Sequence, residues 1–291
     1  MMDYLLQAAV FILMASIGMS LSLRAILDNW RQLSPTAWVY LLLATFVAPV
    51  ALAIGLADLF HLKRGEWIGL FMVGATPGVP HLIHKMVRQG CDEDIAASYQ
   101  IWAGLMVPVM IPLVVAAVAH LYNRSVWIPP FDLVVQILET QFLPLAAGLV
   151  WAWAAPNLTA RIHPQLSKLS NVLMMLVMLV MLFKTGPELK LVSPLVPVAA
   201  FLLAAGSIHA ISLFRVSGHV IRQTFAICNA NQNVGLALLL CGKYLSVTQA
   251  VPAVVCYTFI APLVIFLYPK LFPVPSPASA VPFQRAVVRR T

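Results

Sequence analysis

The sequence predicts an all-α polytopic membrane protein of about nine transmembrane helices, built as inverted repeats with one broken helix in each. Three observations predict it. Of 291 residues, 61% are hydrophobic and only 10% are charged, against roughly 25% charged in an ordinary soluble domain. The apolar residues fall into runs near the ~20 residues that a bilayer core requires, separated by short basic loops. Two of these runs are interrupted, by Thr76-Pro77-Gly78-Val79-Pro80-His81 in the first half and by Asn229-Ala230-Asn231-Gln232-Asn233 in the second. Lipid offers no partner to a freed backbone N–H or C=O, so a broken helix at membrane depth must be wrapped by protein or line a wet cavity.

The elements follow in order. The chain opens Met1-Met2-Asp3 with no basic stretch, and its apolar run continues to Leu23 before Arg24. That is too long for the core of a signal peptide, so a retained first span is expected over 4–23. A second span covers 36–57, and a third, broken, covers 66–89. The fourth, 94–118, is preceded by Cys91-Asp92-Glu93-Asp94, carboxylates that suit the positive end of a helix. The fifth, 131–154, carries Glu139, and the sixth, 168–184, is rich in methionine. A seventh covers 193–214, the second broken span covers 219–242, and a ninth covers 246–268. Residues 1–268 form the transmembrane domain. The remainder, 269–291, holds Pro273, Pro275, Pro277 and Pro282 and ends Arg289-Arg290-Thr291, so a disordered basic cytoplasmic tail is expected.

The first break has a mechanical cause. Pro77 and Pro80 remove two backbone donors and push the preceding residues out of the α region, so the helix must stop. Pro80 suits the first position of a new half-helix, and the following His81-Leu82-Ile83-His84-Lys85 is too polar to face lipid. In the second break, Asn229, Asn231, Gln232 and Asn233 put four amides in an apolar run. They are costly there unless they bond one another, freed backbone groups or a ligand. Gly235 follows and allows close backbone approach. Each break falls in the third helix of a set of four, spans 1–4 and 6–9 around a fifth, and an odd connecting helix makes the repeats inverted. The alternatives are a proline kink in the first case and amides gluing helices together in the second.

The net charge of +8 comes from basic residues standing singly between apolar runs, with one cluster at the C-terminus. This is a loop pattern and not a nucleic-acid surface. Basic residues collect at Arg24, Arg31, Lys85, Arg88, Arg161, Lys168, Arg215, Arg222 and Lys270, which favours an N-terminus outside and a C-terminus in the cytoplasm, in a cell (inner) membrane. Cys91, Cys228, Cys241 and Cys256 show no paired spacing, so no disulfide is expected. His81 and His84 could begin a metal site, but no third ligand has suitable spacing, and no nucleophile–base pair appears. An enzyme is therefore not expected. A secondary transporter comes first, and a channel or sensor on the same fold is the alternative.

Three stretches resemble a known family: Gly18-Met19-Ser20-Leu21; Val73-Gly74-Ala75-Thr76-Pro77-Gly78 with Gly90; and Arg222-Gln223-Thr224 leading to Gln232-Asn233-Val234-Gly235-Leu236-Ala237. Over about 1–268 the chain resembles a divergent bacterial-type member of the bile acid:sodium symporter superfamily. The resemblance implies a panel of helices beside a core of two crossing broken helices, carrying a small organic anion with sodium by alternating access. It also exposes departures. The family's sodium-site glutamate falls on Cys228, its Ser-Asn pair near Pro80-His81, its Ser and Thr in the next helix near Ala96 and Gln100, and a glutamine of the second helix on Ala44. A hard cation needs oxygen ligands, so these losses weaken sodium coupling. A proton is the substitute, with His81, His84 and Glu139 as candidate carriers; an uncoupled anion carrier is the other alternative. The substrate and ion site is expected at Thr76, Pro77, Gly78, His81, Asn229, Asn231, Gln232, Asn233 and Gly235. No cofactor is expected besides sodium or a proton as coupling ion. The expected partners are a small organic anion and the lipid bilayer, with the oligomeric state left open.

Overall fold

A computed structural model describes residues 2–21, 27, 30–31, 34–78, 91, 93–122, 127–213, 219–245 and 250–272. His81, His84, Gly90 and the tail beyond 272 lie outside the described residues. The described chain is helical throughout its regular structure: α1 Met2–Ser20, α2 Pro35–Leu59, α3 Arg64–Ala75, α4 Glu93–Leu121, α5 Pro130–Ala154, α6 Pro156–Leu189, α7 Leu195–Leu213, α8 His219–Ala230, α9 Val234–Tyr244 and α10 Ala250–Leu271. Six helical stretches among the described residues are long and apolar enough to cross a membrane: α2, Ser98–Leu121 of α4, α5, α6, Ile221–Tyr244 across the α8–α9 break, and α10. Shorter apolar helices run Leu6–Ser20 and Leu195–Ile211. This is a polytopic all-α membrane protein.

The largest difference from expectation is α6, which starts at Pro156, a dozen residues before the predicted 168. The stretch holding Arg161, His163 and Lys168 is helical although too polar for lipid. Proline sits well at its first position, and Pro164 inside the helix does not break it.

Prolines shape α2 and α5 differently. Each contains one π turn, Leu43–Val47 and Leu138–Phe142, with a proline two residues after it at Pro49 and Pro144. The N–H of Ala48 reaches back five residues to Leu43 O, and that of Leu143 to Leu138 O. The proline has no N–H to continue the ladder, and a π turn accommodates the lost bond and ring without ending the helix.

The helices form two groups. α1 packs along the second half of α5 and along α6. α3, the second half of α2, α7, α8 and α10 pack around one another, with α9 against α3 and α10. In the first group α1 and α5 come close enough for backbone contact at Gly18 and Gly148. A Cβ at Gly18 would lie 2.1 Å from Leu145 O, and one at Gly148 would lie 2.1 Å from Ala15 O. Without hydrophobic drive in lipid, such close approach of small residues is what joins helices. In the second group an aromatic cluster joins α2 to α4, with the half-buried Trp38 and the buried Phe46 at 5.7 and 5.9 Å from Trp102 and Tyr99 at 6.1 Å. The buried carboxylate Glu66 is fully engaged, accepting from Lys63 N at 3.0 Å and Ser193 N at 2.7 Å, and so ties the start of α3 to the chain before α7.

Candidate functional site

Both breaks are present, and they touch. α3 stops at Ala75, where Thr76 leaves helical geometry and turns its hydroxyl back to donate to Met72 O at 2.9 Å. Pro77 follows, then Gly78 with φ +71, a left-handed conformation that favours glycine. A Cβ there would also lie 2.8 Å from Gln100 Oε1. In the second break α8 ends at Ala230, and α9 begins after Asn233, whose side-chain oxygen caps it by accepting from Leu236 N at 3.0 Å. The backbone N–H of Asn233 donates to Thr76 O at 2.7 Å, so a hydrogen bond joins one interruption to the other.

The amides of the second break are buried, and those of Asn229, Gln232 and Asn233 donate to backbone and side-chain oxygens around them. Asn229 Nδ2 donates to Ala44 O at 3.0 Å and Ser207 O at 2.7 Å. Its orientation is determined by chemistry: two carbonyls only accept, so the nitrogen must face them. Asn229 Oδ1 then accepts from Tyr99 Oη at 3.1 Å, and Tyr99 in turn is 3.0 Å from Thr45 Oγ1. Ala44 O is available because of the π turn: Ala48 N–H bonds to Leu43 O instead, and Pro49 has no N–H. Gln232 Nε2 donates to Asn229 O at 2.7 Å, and Tyr257 Oη donates to Ala230 O at 2.7 Å. The backbone N–H of Asn231 bonds Ile227 O and Cys228 O, both at 3.2 Å. Asn233 Nδ2 donates to Gln141 Oε1 at 3.0 Å, which brings α5 to the break. Gly235 sits beneath α1 and α6, where a Cβ would meet Val10 Cγ2 at 3.2 Å and Met174 at 3.5 Å.

Between the two helix groups, beside the breaks, lies a cavity of about 20 Å³ lined by Met14 and Ile17 of α1, Pro77 and Gly78, Gln100 and Gly104 of α4, and Gln141 of α5. That is room for about one water. Gln141 Nε2 and Gln232 Oε1 are buried and make no hydrogen bond, whereas the Gln100 amide faces the Cys228 thiol. Of these two, the amide nitrogen of Gln141 belongs to a side chain lining the cavity.

The structure thus gathers Thr76, Pro77, Gly78, Asn229, Asn231, Gln232, Asn233 and Gly235 of the predicted set in one region. Glu139 is not part of it. That carboxylate is exposed in a separate groove of about 570 Å³ with Gln7, Gln136, Thr140 and Lys243, and Lys243 Nζ donates to Gln136 Oε1. Four participants went unpredicted as site residues: Thr45, Tyr99, Gln100 and Gln141. The available signal was a polar side chain inside an apolar span. No group of three or more His, Cys, Asp or Glu among the described residues is placed to hold a metal ion.

A family model described as the Sodium Bile acid symporter family matches residues 7–190. The match takes in the first break and ends before the second. A curated relative, described as an uncharacterized sodium-dependent transporter YocS from Bacillus subtilis (strain 168), is 26% identical over 146 residues. That alignment covers 48% of this chain and 43% of the relative, so the chain matches less than half the relative's length.

Proposed function

The chain belongs to the Sodium Bile acid symporter family, and from that premise we propose a secondary transporter that moves a small organic anion by alternating access. The observation that carries the substrate class is the unpartnered amide nitrogen Gln141 Nε2, on a side chain that lines the cavity beside the breaks. Buried donors without acceptors are costly. A carboxylate or sulfonate is acceptor-only and offsets that cost. The positive end of α9 points the same way, since half-helix N-termini at the bilayer midplane favour anionic groups. In this reading Pro77 and Gly78 shape one wall, while Asn233 holds Gln141 of the facing wall through its Nδ2.

The cavity's size supports alternating access over an open pore. At about 20 Å³ it admits no organic anion, so α1 and α5 must part from α3 and α4 for one to enter. The third-helix position of each break supports the inverted-repeat reading, and the basic loop residues support an N-terminus outside and a cytoplasmic C-terminus.

The test is thermal melting of the purified protein with a panel of small carboxylates and sulfonates, followed by uptake of any binder into proteoliposomes. Mass action requires a ligand of the native state to raise the melting temperature. A specific anion that stabilises the protein and is taken up with saturation is the expected result. Melting indifferent to the whole panel would sink the anion reading.

A further inference from the structure

The family's description and the relative's name both carry sodium, an ion that the region of the breaks fits poorly. A hard monovalent cation needs several oxygens with lone pairs directed at one point. Here the oxygens around Asn229 are present but occupied, and Gln232 Oε1 is a buried acceptor left unpaired beside them. Ala44 O and Ser207 O take the two hydrogens of Asn229 Nδ2, Asn229 O takes Gln232 Nε2, Ala230 O takes Tyr257 Oη, and Asn229 Oδ1 takes Tyr99 Oη. Because Tyr99 gives its hydrogen to Asn229, the remaining hydrogen of the chain comes from Thr45, and Tyr99 Oη accepts it. Every member of this network is neutral. Among the described carboxylates, Glu66 accepts from backbone N–H groups at the start of α3, and Glu139 stands in the separate groove. A cation entering the Asn229 network would meet N–H and O–H hydrogens where it needs lone pairs, and no carboxylate among the described side chains belongs to that network to offset its desolvation.

The arrangement has a positive reading. The amide NH2 of Asn229 joins carbonyls from two helices, Ala44 O of α2 and Ser207 O of α7, while its oxygen holds Tyr99 of α4. Bridging carbonyls of separate helices is the structural task of a bound cation. We propose that the Asn229 side chain is a built-in surrogate for a coupling cation, so that α2, α4, α7 and α8 stay joined through the cycle and the protein works without sodium. This rests on the transporter reading above for its consequence in transport, but the binding claim can be tested without a substrate.

The experiment compares thermal melting of the purified protein in sodium chloride and in potassium chloride at matched ionic strength, over a titration of sodium from zero. Superimposable curves are expected; a saturable rise specific to sodium would overturn the proposal. The same comparison on Asn229→Asp removes the bridging NH2 and supplies a carboxylate at the same place. This variant is expected to melt lower than the parent in potassium and to recover part of the loss in sodium. A variant that melts like the parent and ignores sodium would overturn the surrogate role. If it cannot be purified, the wild-type titration still decides. Should an anion binder be in hand, its uptake is expected at equal rates when sodium is replaced by potassium, and a several-fold fall would overturn the proposal. Absence of any binder bears on the transporter reading alone.

Discussion

At the residue scale, the site is a matter of which buried amides have partners. Asn233 is engaged at three atoms: its backbone N–H joins the two breaks, its oxygen caps α9 and its Nδ2 reaches Gln141. Asn233→Ala therefore removes the cap and the contact to α5 together, and is expected to abolish uptake and to lower stability by about 1 kcal/mol or more. Gln232→Ala loses one bond to Asn229 O and is expected to insert in the membrane normally while losing transport. Full uptake by both, measured in proteoliposomes at equal protein content, would remove the breaks from the mechanism. Tyr99→Phe leaves Asn229 Oδ1 and Thr45 Oγ1 without their partner, and a loss of about 1–3 kcal/mol is expected by denaturant unfolding. These roles were unequally legible. Thr76 to Gly78 and Asn229 to Asn233 stood out because prolines and clustered amides conflict with a lipid environment. Gln100 and Gln141 did not, since a lone amide in an apolar run does not reveal whether it faces lipid, a neighbour or a cavity. Tyr99 is invisible in the same way: its importance lies in a hydrogen bond to a residue 130 positions away.

At the scale of elements, the run of apolar residues identified where helices lie, and the interruptions identified where two of them stop. Hydropathy failed at the start of α6, because the helix continues from Pro156 through Arg161 and Lys168, where a hydropathy window sees only a loop. The π turns were also beyond reach, since Pro49 and Pro144 signal a disturbed ladder without saying whether the helix kinks, ends or widens. The contact of α1 with α5 makes a sharper demand on sequence. A side chain at Gly18 or Gly148 would run into the backbone of the facing helix, so Gly18→Val and Gly148→Val are each expected to cost a few kcal/mol. Melting in detergent reads this loss, and a variant as stable as the parent would mean that the two helices separate without cost.

At the scale of the whole molecule, two bodies face each other across a nearly closed seam. One contains α1, α5 and α6; the other is built around the joined breaks. The proposed alternating access requires the seam to open, so fastening it is expected to stop turnover without unfolding the protein. Ile17 on α1 and Gly104 on α4 both line the cavity from opposite bodies. A double variant Ile17→Cys, Gly104→Cys is expected to lose uptake when bridged by a short bifunctional thiol reagent and to regain it when a cleavable bridge is reduced. Uptake that persists after bridging would show that the seam is not the path.

The π turn of α2 has one more consequence, which concerns register. Such a turn amounts to one extra residue threaded into an otherwise regular helix, and each helical residue corresponds to about 100° of rotation. Trp38, before the turn, packs on Trp102, and Pro49 and Ala53, after it, sit against Gly74 of α3. A straight α2 could satisfy one of these two faces but not both. Deleting a single residue from Leu43–Val47 would leave the chain almost unchanged in composition, yet it would turn one half of the helix away from its neighbours and return the carbonyl of Ala44 to its own ladder. The lock around Asn229 thus depends on arithmetic as much as on chemistry: one residue too many in the second helix is what gives the amide an oxygen to hold.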